Sequence, residues 1–191
     1  MSPRRKTPYT WTEIIVASSV LVVLLLGIGI FILTRTQHST GDNMLSRMKQ
    51  LHLATQTMAL DGVTTGDTNL AWPGTRDGTF TTWVNNIVPY LGTNDFCRLL
   101  SGLKGTMVFP TENTNSILVY GVTEEQDGSY VFLTSANFTN TPTGGAPLRP
   151  DAKPYGNKGF VVFRKGGDGS ILLPNQVGQT NVIGLYTPLL R

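Results

Sequence analysis

Few side chains in this 191-residue chain are of the kinds that do covalent or metal chemistry. It has a single cysteine, Cys97, and two histidines, His38 and His52. Neither histidine stands in a recognisable metal-ligand motif. Thr134-Ser135-Ala136 and Leu100-Ser101-Gly102 lack the frame of a nucleophile elbow. Gly166-Gly167-Asp168-Gly169 fits neither a phosphate loop nor an EF-hand and reads as a hairpin turn. A lone cysteine cannot close an internal disulfide, and Cys97 reads as a small buried apolar residue. No catalytic site, bound metal or cofactor is expected. The remaining chemical candidate is Glu13, a carboxylate at the mouth of an apolar run. A charge there needs headgroup water or an opposite charge, so its chemistry is ion pairing.

The run itself, Ile14 to Leu33, is uncharged and broken only by small residues and Phe31. At about 1.5 Å per residue it is roughly 30 Å long, enough for a bilayer core, so residues 14–34 are predicted to form a transmembrane helix. Arg4, Arg5 and Lys6 precede it, whereas Arg35 alone follows closely. That asymmetry predicts a cytoplasmic N-terminus and an extracytoplasmic remainder. A cleaved secretory signal fits less well: the run is too long, and Leu33-Thr34-Arg35 is not a small-x-small site. Without Arg4, Arg5 and Lys6 the basic and acidic residues balance at 12 each, so the overall +3 is no signal for nucleic acid.

The basic tip, Tyr9, Thr10, then Glu13 and the aliphatic run resemble the N-terminal signature of type IV pilins and type II secretion pseudopilins. In that family a prepilin peptidase cuts just before an aromatic residue and methylates the new amine, and the fifth mature residue is glutamate. The resemblance implies residues 1–8 as a leader, cleavage between Pro8 and Tyr9, and Glu13 pairing with the Tyr9 ammonium of a neighbouring subunit. Pro8 stands where the family normally has glycine. The segment from Met44 to Asp61, followed by Trp72-Pro73-Gly74, is similar to a branch of the pseudopilin-like proteins, and beyond residue 73 the resemblance is faint. The major secretion pseudopilins carry calcium in a C-terminal loop. Here only Asp151 and Asp168 are acidic after residue 127, which supports such a site poorly.

Beyond the span, Met44, Met48, Leu51, Thr55 and Met58 recur at helical spacing, with Arg47, Lys49, Gln50 and Gln56 on the other side. One long helix is therefore predicted, about 9–61, with Gly41-Asp42 as a weak point and Gly62 as its end. Residues 62–191 are predicted to form one extracytoplasmic domain. Helical pieces are expected at 80–89 and 94–103, hairpins at 116–123 with 129–135 and at 159–164 with 170–173, and a last strand at 182–186. Residues 137–157 read as a long loop. The fold class is α+β: a long helix, membrane-spanning in its first half, packed on a small antiparallel sheet in a pilin-like way.

The resemblance implies a structural subunit, a pseudopilin or minor pilin, of a type II secretion or type IV pilus-like filament. Its expected partners are a prepilin peptidase, other subunits, the inner-membrane machinery and membrane lipid. The expected location is the inner membrane, with the globular domain in the periplasm. The alternative is a single-pass anchored binding module that does not polymerise. An enzyme is not expected.

Overall fold

The computed structural model describes residues 11–75, 79–101, 115–152 and 155–190, without the side chains of residues 12–19, 23 and 25–40. The chain divides into two compact units, residues 1–40 and 41–191. The described part of the first unit is helical, with Trp11, Val20, Leu21, Val22 and Leu24 exposed. Among the described residues no helix is long and apolar enough to cross a membrane. Most of the side chains of the span predicted at 14–34 lie outside the described residues, and the leader predicted at 1–8 lies wholly outside them.

Helix α1 (Trp11–Thr65) supplies the spine of the second unit. Met44, Met48, Leu51, Thr55 and Met58 are each no more than 1% exposed, so the predicted stripe is the buried face. One expectation about the end of this helix is corrected. Gly62 does not end it: a Cβ there would collide with the Leu70 carbonyl, so this glycine lets the returning chain lie against the helix. The stop comes at Gly66, which has a φ of 72°, after the Thr64 and Thr65 hydroxyls have donated to the Asp61 carbonyl. Gly41 likewise makes room, because Ile171 packs where its Cβ would be.

Helices α2 (Phe80–Leu91) and α3 (Thr93–Ser101) follow, and Gly92 turns the chain between them with a φ of 77°. The Thr79 hydroxyl caps α2 by accepting from the Thr82 amide at 3.2 Å. Trp83, Val84, Ile87, Phe96, Leu99 and Leu100 pack with the α1 stripe. Arg47, expected on the solvent side of α1, is instead half-buried. Its Nε donates to the Leu99 carbonyl at 2.7 Å and its Nη2 to Ser116 Oγ at 2.7 Å. It thus satisfies a carbonyl in the last turn of α3 and complements that helix's dipole.

The sheet is a four-stranded antiparallel meander in sequence order: β1 (Ile117–Val119), β2 (Val131–Ser135), β3 (Phe160–Arg164) and β4 (Gly169–Leu172). Phe160 to Phe163 is a continuous apolar run because both faces of β3 are covered. Val161 and Phe163 join the helix-side core, whereas Phe160 and Val162 join a second cluster with Tyr120, Val131 and Phe138. A register shift between Val131 and Leu133 brings both Phe132 and Leu133 into the helix-side core. The 137–157 segment is loop where described, and its Phe138 stacks on Phe160 at 4.2 Å.

The strand predicted at 182–186 is not there. Residues Thr180–Ile183 form a short helix, α4, and the tail pairs only at single bridges, from Leu185, within the predicted range, to Tyr130 and from Leu189 to Tyr120. The Leu190 amide donates to the Val119 carbonyl at 3.0 Å, so the tail lines the outer edge of β1.

Candidate functional site

The processing and assembly residues read from the sequence fall outside what the structure describes. Pro8 and Tyr9 lie outside the described residues, as does the side chain of Glu13 on α1. Cys97 is buried at 3% exposure in the helix-side core. Among the described residues no group of three or more His, Cys, Asp or Glu side chains could hold a metal ion. Asp168 is paired with Arg164, and Asp151 lies exposed in the 137–157 loop.

A polar arrangement beside a cleft lies where α1 meets the β3–β4 turn. His52 projects from α1 and is 5% exposed. Its ring lies among Phe163, Trp72 and Phe132, with centroids at 5.4, 5.7 and 6.2 Å. Nε2 is 2.7 Å from the Lys165 carbonyl, an acceptor only, so Nε2 carries the proton and donates. Burial lowers the pKa of His52 below the ordinary 6.5, against opposing effects from the Lys165 carbonyl and Asp168. The imidazole is therefore neutral at neutral pH.

The Lys165 side chain extends the arrangement outward. Its ammonium lies 5.3 Å from the Trp72 ring centroid and donates to the carbonyls of Glu124, at 2.8 Å, and Gln126. This ties the β3–β4 turn to the turn before β2. The Gly166 amide donates to the Gly128 carbonyl at 3.0 Å. A Cβ on Gly128 would sit 2.9 Å from Gly166 Cα, so the two turns meet glycine to glycine. Gln56, Ala59, Leu60, Trp72, Glu124 and Lys165 line a cleft of about 280 Å³ along this seam.

Beside the cleft, α1 presents an exposed face of unusual character. Leu53, Leu60 and Val63 are 51%, 58% and 71% exposed. Gln50, Gln56, Thr57, Thr64 and Thr65 fill the exposed positions among them, and Asp61 is the one charged residue from 50 to 66. Depletion of charge around exposed aliphatics is characteristic of surfaces that pack against protein.

Sequence reasoning placed the α1 stripe but missed His52 as part of it. The signal was present, since His52 lies four residues after Met48 and beside Leu51. Nothing local announces its partner, which is 113 residues away. No family model, no curated protein and no solved structure matches this chain.

Proposed function

We propose that this chain is a structural subunit, a pseudopilin or minor pilin, of a type II secretion or type IV pilus-like filament, held in the inner membrane and assembled through its N-terminal apolar helix. The observation that carries the reading is the order of features along the N-terminal region. Arg4-Arg5-Lys6, Tyr9 and Glu13 precede an uncharged run, and the helix that follows ends as the spine of a small α+β unit. The charge-poor exposed face of α1 supports it, because subunits stacked side by side must cover such surfaces.

In this reading a prepilin peptidase removes residues 1–8. The new Tyr9 ammonium of one subunit neutralises Glu13 of the next, which keeps a carboxylate tolerable among apolar helices. Ala17, Ser18, Ser19, Gly27 and Gly29 allow close helix approach. The function is mechanical, with no reaction catalysed by the subunit.

Intact-mass and N-terminal peptide analysis of the membrane-extracted chain, with and without its peptidase, tests the processing step. A chain starting at methylated Tyr9 only when the peptidase is present is the expected result. Replacing Glu13→Ala should leave membrane insertion intact and abolish incorporation into filaments. Wild-type assembly of that variant would overturn the pairing mechanism. Pro8 favours a second reading, because proline stiffens the scissile position. A leader retained under both conditions would identify an anchored extracytoplasmic module that does not polymerise.

A further inference from the structure

The junction of α1 with the β3–β4 turn contains one group whose ordinary pKa lies close to neutral pH, His52. From the turn, Asp168 acts on it electrostatically and the Lys165 carbonyl accepts its hydrogen bond, while the Lys165 ammonium lies over Trp72; the rings of Trp72, Phe132 and Phe163 around it carry no charge. On α1 itself the nearest charged residue in sequence is Lys49, which is exposed. We propose that His52 is an acid-released clasp between α1 and the β3–β4 turn, and that its release loosens the Lys165 bridge shaping the neighbouring cleft.

The neutral ring fits its niche because it has one proton and one buried acceptor to give it to. The Nε2–H donates to the Lys165 carbonyl. A second proton, taken from solvent onto Nδ1, would make an imidazolium among three aromatic rings. Trp72, the ring best suited to stabilise a cation, already has the Lys165 ammonium against it at 5.3 Å. Asp168, the one carboxylate among the described residues that acts on the niche, is engaged by Arg164. The charged ring is therefore better solvated outside, and leaving strips the Lys165 carbonyl of its donor.

The consequence spreads because Lys165 is a shared post. Its amide donates to the Tyr130 carbonyl at 2.9 Å, and its ammonium bonds the Glu124 and Gln126 carbonyls. The adjoining Gly166 and Gly167 amides donate to Gly128 and Arg164 carbonyls, each at 3.0 Å. Letting go of α1 at His52 removes the hydrogen bond that ties this post to the helix. The cleft wall contributed by Glu124, Gly128, Lys165 and Gly166 then opens away from Gln56, Ala59 and Leu60. The clasp does not depend on the assembly reading.

Amide hydrogen exchange of the solubilised full chain tests it, read at Lys165, Gly166 and Gly167 and corrected for the intrinsic pH dependence of exchange. For a histidine whose proton affinity is ordinary when released and low when clasped, protection should fall about tenfold between about pH 7.5 and 5.5. The α2 amides should not follow. His52→Gln keeps an N–H donor without a titrating ring and should show pH-independent protection, whereas His38→Gln should respond like the wild type. Equal wild-type protection at both pH values, or a tenfold loss that persists in His52→Gln, overturns the proposal. Should His52→Gln fail to fold, the ring's own NMR titration in the wild type decides. A midpoint below about 6.5 that tracks the exchange change supports the clasp, and one at the ordinary value overturns it.

Discussion

Tyr155 shows how much a single hydroxyl can report about a core. The residue is 9% exposed, and its OH has no hydrogen-bond partner among the described residues. Burial pushes its pKa up to about 12, against the pull of the Arg47 guanidinium. The folded state thus keeps the phenolic proton at pH values where the unfolded chain, near 10, has released it. Stability must then fall as pH rises through 10 toward 12, since the native state binds the extra proton. Tyr155→Phe should be neutral or stabilising by up to about 1 kcal/mol at pH 7, because it removes an unsatisfied buried group. It should also flatten the alkaline decline. Urea unfolding at about pH 7 and pH 10.5 measures both, and a loss of more than about 1 kcal/mol at pH 7 would show that the hydroxyl has a partner after all.

The second half of α1 has two sides with different duties. Its inner stripe was legible because Met44, Met48, Leu51, Thr55 and Met58 obey the helical period without exception. Gly62 was misread because a glycine that ends a helix and a glycine that admits a passing carbonyl look alike in sequence. Gly62→Ala distinguishes the two: intruding on the Leu70 carbonyl should cost about 2 kcal/mol in denaturant unfolding, whereas a simple stop would tolerate it better. Arg47 was misplaced for a similar reason, as its partners on α3 and ahead of β1 are 52 and 69 residues away. On the outer side, Leu60→Glu should change stability by less than about 0.5 kcal/mol, because the residue is already 58% exposed. Filament incorporation should fall sharply if that face packs against neighbouring subunits. Normal assembly of a folded Leu60→Glu protein would remove the face from the interface.

For the whole molecule, residues 41–191 form a compact unit with their own core, so this fragment alone should fold cooperatively and remain monomeric. Light scattering with thermal unfolding checks this, and a fragment without a cooperative transition would show that the first 40 residues support the core. The strand pairs of the meander were readable from β-branched runs and turn residues, because neighbours in sequence are neighbours in the sheet. The tail was not, because its pairing is dictated by a bare edge formed far earlier in the chain. That edge has a consequence in time. Thr187 Oγ1 donates to the Val131 carbonyl at 2.8 Å, and Leu189 and Leu190 close against Tyr120 and Val119. A ribosome adding about 5–20 residues per second delivers these residues several seconds after β1. From the completion of β4 at Leu172 until then, the meander carries an open hydrogen-bonding margin, the kind that recruits stray strands. The newborn chain must be shielded until its last-made residues arrive to seal it.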